Sequence, residues 1–351
     1  MGSAVTAAVI LPGMGITQIR RRGRFDATVQ GNERICREHY RLRLRINGQR
    51  GTFPPTQPGQ FVQLGCRPPN GVMDTVALFG RELVYRPDEP VRASQAELCA
   101  PMAMLRRPFS LAGRGDDDDG TWLEIVHRVV GVGTAWLAQL KAGDAVDLIG
   151  PLGNAFTLPT EKRIGLLVGG GVGLPPMFYL AEALHRAGWR AVGFVGALTG
   201  DLLAVTPVAN VAPSAAGEPA LCVGEFARYG YPAVLTTDDG TCGLRGRITD
   251  GLERVLAAQS PDEAARSVVY ACGPGPMMHA AAQLARHFGV DCQVCLEQAM
   301  ACGMGTCQSC VVRIQPHGDR QPHGTTADGR PWRYNLACTD GPVFAAERVV
   351  W

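Results

Sequence analysis

The sequence predicts a multidomain protein: an antiparallel β-barrel, then an α/β domain with a parallel sheet, then a small C-terminal domain organised by cysteines. Three observations carry this. Short runs alternating apolar and polar residues fill the first part of the chain, buried strands alternating with helical stretches fill the middle, and four cysteines in a ligand-like spacing stand near the end. A length of 351 residues suits two or three domains at ~100–200 residues each, and an apolar content of 46% is enough for real cores.

The barrel is read over residues 24–160. Residues 40–46 (YRLRLRI), 60–64 (QFVQL) and 122–126 (WLEIV) alternate with period two between turn signals, as half-buried antiparallel strands do. Residues 67–104 interrupt the pattern. Asp116 to Asp119 form an acidic run without the alternating ligand spacing of a calcium loop, so a solvated turn is expected. From Arg163 the rhythm changes. Strands are expected at 164–168, 191–195, 233–236 and 267–271, and helices at 176–187, 248–259 and 276–288, the order of a parallel α/β sheet over residues 161–290. The Ala/Pro/Gly-rich residues 205–231 read as an insertion. Residues 291–351 form the small C-terminal domain, and residues 1–23 a loose N-terminal extension.

Net charge is +2, which gives no electrostatic case for nucleic acid as a partner. No apolar run reaches the ~18 residues that a membrane span needs. The mildly apolar start has its arginines, Arg20 to Arg22, after the apolar stretch, the reverse of a signal peptide. Of twelve cysteines, eight are scattered: Cys36, Cys66, Cys99, Cys222, Cys242, Cys272, Cys292 and Cys295. That usage suits a reducing compartment, and a cytoplasmic protein is expected. Cys292-x-x-Cys295 is a candidate redox pair without a thioredoxin-like context.

Four motifs carry chemistry. Arg107-Pro108-Phe109-Ser110 is followed by Val126-His127-Arg128, then by Gly131, Gly133 and Thr134 opening a helical stretch at 135–141. Backbone N–H groups at such a helix start suit a pyrophosphate, and Arg107 can fork onto the same phosphates. Ser110 can offer its hydroxyl to a flavin ring nitrogen. The alternative is a strand end with a surface arginine. The second motif, Gly169-Gly170-Gly171-Val-Gly173-Leu-Pro175, lies between a strand and a helix and departs from the classical G-x-G-x-x-G fingerprint. The third, Cys272-Gly273-Pro274-Gly-Pro-Met277, has the same setting, so both can face one ligand at the carboxyl ends of parallel strands. Cys272 has no visible base partner and reads as a pocket-lining or buried residue rather than a nucleophile. The fourth is Cys302-x4-Cys307-x2-Cys310 with Cys338 downstream, the plant-type ferredoxin spacing for a 2Fe–2S cluster. Four thiolates also suit zinc.

With these motifs the chain resembles the electron-transfer subunit of class 1B dihydroorotate dehydrogenase, within the ferredoxin–NADP reductase-like superfamily. Residues 105–111 (LRRPFSL), 237–243 (TDDGTCG), 296–302 (LEQAMAC) and 337–344 (ACTDGPVF) carry the resemblance, together with the domain order. It implies FAD on residues matching Arg107 to Ser110, Val126 to Arg128 and Gly133-Thr134. It implies a 2Fe–2S cluster on Cys302, Cys307, Cys310 and Cys338. NAD rather than NADP is expected, because no Ser/Arg cluster follows the strand of Phe194 to grip a 2′-phosphate. The resemblance also implies an FMN-containing catalytic subunit as partner in a heterotetramer. The domains are then an FAD-binding β-barrel, an NAD-binding α/β domain and a 2Fe–2S domain. Residues 67–104, residues 205–231 and the gap from Cys310 to Cys338 look long for that family. Two other functions stay open: a reductase subunit for another acceptor, such as a ferredoxin, a hydrogenase or a sulfur-reducing complex, and a zinc-bound scaffold or redox sensor that kept the fold. Nothing in the chain supplies an eight-fold βα pattern or a base for dihydroorotate, so orotate chemistry belongs to the partner.

Overall fold

A computed structural model describes residues 22–48, 52–66, 106–318 and 320–351. Residues 67–104, and the N-terminal extension through residue 21, lie outside them. Seven antiparallel strands form the first sheet: β1 (Gly23–Cys36), β2 (His39–Ile46), β3 (Phe61–Leu64), β4 (Arg107–Ser110), β5 (Gly113–Asp117), β6 (Gly120–Arg128) and β7 (Ala145–Leu152), in the order β4-β3-β7-β1-β2-β6-β5. The two edge strands, β4 and β5, are separated in sequence only by Leu111 and Ala112. So short a link brings the edges together and rolls the sheet into a barrel. The alternation read from the sequence decides the faces: Leu42, Leu44, Ile46, Leu123 and Ile125 point inward and are fully buried. Helix α1 (Val132–Leu137) closes one end, with Leu137 in the barrel core. The acidic run spans the end of β5 and the turn at Asp118 and Asp119, tied by Arg45 to Asp117 and by Thr121 to Asp116.

The second sheet holds β8 (Ile164–Gly170), β9 (Arg190–Ala197), β10 (Ala233–Thr237), β11 (Leu244–Arg245), β12 (Ser267–Cys272) and β13 (Asp291–Cys295), all parallel. Its helices are α2 (Leu174–Arg186), α3 (Gly224–Ala227), α4 (Ile248–Ala258), α5 (Pro261–Ala265) and α6 (Gly275–His287). The last domain adds β14 (Val311–Ile314), β15 (Gly324–Thr325) and β16 (Pro331–Leu336) as a small sheet. Strand β17 (Val343–Ala345) returns to pair antiparallel with β13. Backbone pairing therefore crosses the boundary expected at residue 291, because β13 and β17 complete the nucleotide sheet. The order β11-β10-β9-β8-β12-β13-β17 reverses direction between β8 and β12. At such a switch point the loops diverge and leave a crevice at the carboxyl ends of the strands.

Residues 205–231 are an integral part of the α/β domain. Val205, Cys222, Val223, Phe226 and Tyr231 are buried in its core. Glu225, 2% exposed, accepts from Thr206 N and Oγ1 and pairs with Arg41 of the barrel. A second tie runs through Tyr179 of α2, which packs in the barrel core and donates to Thr56 O at 2.9 Å.

Candidate functional site

The flavin-motif residues come together at one end of the barrel. Arg107 to Ser110 form edge strand β4, paired with β3 in the register Gln63↔Pro108 and Leu64↔Arg107. A Cβ on Gly133 would lie 3.6 Å from Arg107 Cγ, so the start of α1 sits directly against this strand. The helix begins three residues earlier than expected and is only six residues long, which limits its dipole. The amides of Val130 and Gly131 are also not free. Thr134 Oγ1 accepts from both, at 2.9 and 3.1 Å. Gly131 has an extended backbone and open space where a Cβ would stand.

His127 tests whether a flavin fits here. It is 1% exposed, it stacks on Tyr40 with centroids 5.7 Å apart, and it meets Phe109 edge-on at 6.1 Å. Neither ring nitrogen has a hydrogen-bond partner among the described residues. A buried donor and acceptor left unmatched beside Phe109 suit a group with complementary edges, as FAD has. Burial, and secondarily the nearby His39, hold the imidazole pKa down to about 4. An unfolded histidine titrates near ~6.5, so the unfolded chain takes up a proton that the fold refuses between those values. Stability from this residue is fully present above pH ~6.5 and is lost as pH falls towards 4, by about 3 kcal/mol. In urea unfolding of the FAD-free protein, His127→Phe should flatten the loss of stability between pH 7 and pH 4.5. An unchanged pH slope would refute this assignment.

The two glycine turns meet at the switch point. Cys272 and Gly169 are register partners on β12 and β8. A Cβ on Gly173 would lie 2.1 Å from Cys272 O, and one on Gly170 would lie 2.6 Å from Met277 Sδ. Gly273, at φ +145°, leaves no room for a Cβ, which would stand 2.9 Å from Gly170 O. Pro175 lies in the first turn of α2, where its missing N–H costs no helical bond. Pro274 caps α6 at the same crevice. The hydrogen bond with the Cys295 thiol, then burial, raise the Cys272 pKa well above the ordinary value, which disfavours the thiolate that a nucleophile needs. The candidate Cys292–Cys295 pair is not formed, because a three-residue spacing on a strand sends the side chains to opposite faces. Cys292 packs in the core on one side of the sheet and Cys295 in the core on the other.

The cysteine loop turns on Gly303, Gly305 and Gln308, all at positive φ. Its four thiols come as two pairs. Cys302 Sγ accepts from the amides of Met304 and Cys307, both at 3.4 Å, and Cys307 lies beside it. Cys310 and Cys338 are each 2% exposed and hydrogen-bonded to each other, with the Gly305 amide directed at Cys338. The hydroxyl and amide of Ser309, with Cys302, lower the exposed Cys307 thiol to about 6, so it is a thiolate at neutral pH. Burial and the neighbouring Cys310 push Cys338 up to about 12. Two thiol pairs with amides aimed at sulfur fit a two-iron cluster, which is held by four thiolates.

Two clasps hold the cysteine-bearing C-terminal segment to the barrel. Gln63 Nε2 donates to Ala301 O at 3.4 Å. Asn154 Nδ2 donates to Asp340 O and Val343 O, and its Oδ1 accepts from Val343 N at 2.8 Å. Glu297 lies close enough to act on Cys272, so the segment before Cys302 borders the turn that begins at Cys272. Sequence reasoning missed Gln63, Asn154 and Glu225, which lie far in sequence from what they hold. The only local signal was a polar residue inside an apolar strand at Gln63.

Comparison with known proteins agrees with this geometry. A family model described as the iron-sulfur cluster binding domain of dihydroorotate dehydrogenase B matches residues 297–350. The dihydroorotate dehydrogenase B (NAD(+)) electron transfer subunit of Geobacillus kaustophilus is 38% identical over 250 residues, 70% of this chain and 80% of that protein. The corresponding subunit of Geobacillus thermodenitrificans is 36% identical over 77% of this chain and 90% of its own. The solved NADH-dependent reduced ferredoxin–NADP oxidoreductase shares the fold, with a TM-score of 0.64 over 96% of this chain and 92% of that one, at 24% identity.

Proposed function

Because this chain belongs to the family of dihydroorotate dehydrogenase B electron transfer subunits, we propose that it passes electrons between NAD and an FMN-containing catalytic subunit that oxidises dihydroorotate, using FAD and one 2Fe–2S cluster. The observation that carries this reading is convergence. The β4 strand, the paired glycine turns and the cysteine loop meet around β3 and the end of β13. We assign FAD to Arg107–Ser110 with Val126, His127, Arg128, Gly131, Gly133 and Thr134. We assign NAD to the Gly169–Pro175 and Cys272–Met277 turns, and the cluster to Cys302, Cys307, Cys310 and Cys338. The flavin supplies, when bound, the exchange between a two-electron hydride and single electrons.

The protein's own residues position and insulate. Arg107 contributes fixed positive charge toward a pyrophosphate. Gly173 and Gly273 let two backbones close on one crevice, and Cys272 stays protonated within it. NAD is preferred to NADP in this reading. Strand β9 is followed in sequence by Leu198, Thr199, Gly200 and Asp201, with no Ser/Arg cluster of the kind that grips a 2′-phosphate. Met304, 51% exposed on the cysteine loop, faces the partner. No helix among the described residues is long and apolar enough to cross a membrane. A cytoplasmic heterotetramer is the proposed assembly.

The test is reconstitution. Alone, the chain should reduce a dye with NADH and show no dihydroorotate oxidation. Mixed with the FMN subunit of its own organism, it should form a stable complex with NAD-linked dihydroorotate oxidation, slowed by Met304→Glu more than dye reduction is. Failure to form a complex at micromolar concentration, or equal coupling to an unrelated oxygenase or hydrogenase partner, would move the function elsewhere.

A further inference from the structure

We propose that Gln63 is a positioning residue for electron transfer, setting the cysteine loop against the flavin strand; this rests on the FAD and 2Fe–2S assignment above. Strand β3 reads Phe61, Val62, Gln63, Leu64, and all four residues are buried. Gln63 is 0% exposed. A buried amide without full partners is disfavoured relative to an apolar side chain of the same shape. Gln63 is in that position: its Nε2 makes one long bond, 3.4 Å to Ala301 O, and its Oε1 has no donor among the described residues.

The place of this amide explains what it does. On the barrel side, Gln63 is the register partner of Pro108, in the middle of Arg107–Ser110. The Gln63 backbone carbonyl is also reached by Arg106 Nη1, at 3.5 Å. On the loop side, the amide lies against Gly303. A Cβ there would stand 2.7 Å from Gln63 Cδ and Nε2 and 2.9 Å from Oε1, and Gly303 itself is at φ +67°. Ala301 and Gly303 flank Cys302. One side chain therefore touches both neighbours of a sulfur ligand, while its backbone belongs to the ladder of the flavin strand. Transfer of one electron depends on the distance between the two centres and on their potentials. Cluster potentials respond to hydrogen bonds and dipoles around the sulfurs. The Gln63 amide acts on both quantities, and an apolar residue of the same volume would act on neither electrostatically.

The experiment uses the full chain carrying its cofactors, with Gln63→Leu and Gln63→Asn, the second of which shortens the side chain and withdraws the amide from the loop. NADH is mixed anaerobically, and flavin and cluster bleaching are followed separately. Reduced protein is then examined by electron paramagnetic resonance. Both variants should keep flavin and about two irons per chain, with flavin reduction within about twofold of the unsubstituted protein. Cluster reduction should slow by about tenfold or more, equivalent to roughly 1.4 kcal/mol in barrier, and the resonance spectrum should shift. Unchanged cluster reduction and an unchanged spectrum in both variants overturn the inference. Loss of iron in both overturns it as well, since Gln63 would then hold the loop's fold rather than the transfer. An unsubstituted chain without flavin or iron would instead overturn the assignment beneath it.

Discussion

Cys338→Ser is expected to strip iron from the chain and to abolish NAD-linked dihydroorotate oxidation in the reconstituted complex, while FAD stays bound. Cys338 is 2% exposed, its thiol lies against Cys310, and the segment that follows is clasped to the barrel by Asn154. No water can reach this position to replace the lost thiolate, and a hydroxyl is a poor substitute for a soft sulfur ligand. Cys307 differs. It is exposed, and its thiol is already lowered to about 6 by Ser309 and Cys302. Cys307→Ser should leave a labile cluster that serine oxygen or solvent partly supports. The two variants should therefore rank in iron retention, with Cys338→Ser much the worse. Iron, labile sulfide and flavin per chain, with the visible spectrum, measure this directly. Full iron and an unchanged spectrum in Cys338→Ser would remove it from the ligand set.

What could be read in advance follows from how local each signal is. Inward-facing Leu42 and Leu44, the strand at Ile164 and the spacing of Cys302, Cys307 and Cys310 are written within a few residues, by period or by interval. Long β1 was not legible as a strand. Its burial alternates only in part, and the ladder to β2 shifts register between Val29 and Gly31 and again between Arg34 and Cys36. The pairing of the strand at residue 291 was not legible for a different reason. Val294 and Cys295 are buried by pairing with β12 on one side and β17 on the other, and Phe344 arrives from fifty residues downstream. Nothing within the segment Asp291–Cys295 records which sheet it joins. The same holds for Glu225, whose partner Arg41 comes from the barrel, and for Thr134, whose hydroxyl turned back on its own loop instead of leaving the amides free.

Gly173→Ala should reduce the rate of flavin reduction by NADH about a hundredfold, with flavin and iron content unchanged. The glycine is not there for its backbone angles, since φ is −79°, where any residue is comfortable. It is there because a Cβ would stand 2.1 Å from Cys272 O, 2.3 Å from Cys272 C and 2.5 Å from Gly273 N. These are backbone atoms of the neighbouring turn and cannot rotate aside, so the two turns must part. A misplacement of about 1 Å between reacting groups can cost on the order of a hundredfold in rate. Gly171 is the internal comparison. It sits at φ +53° with nothing within 4 Å of a built Cβ, so Gly171→Ala adds only left-handed strain of roughly 1–2 kcal/mol. The second loss should be the smaller, and should show mainly in thermal stability. Chemical reduction of the flavin by dithionite, which needs no nicotinamide site, separates this defect from a damaged flavin site: it should proceed normally in both variants. If Gly173→Ala accepts hydride from NADH as fast as the unsubstituted chain, the crevice between β8 and β12 is not where the nicotinamide binds.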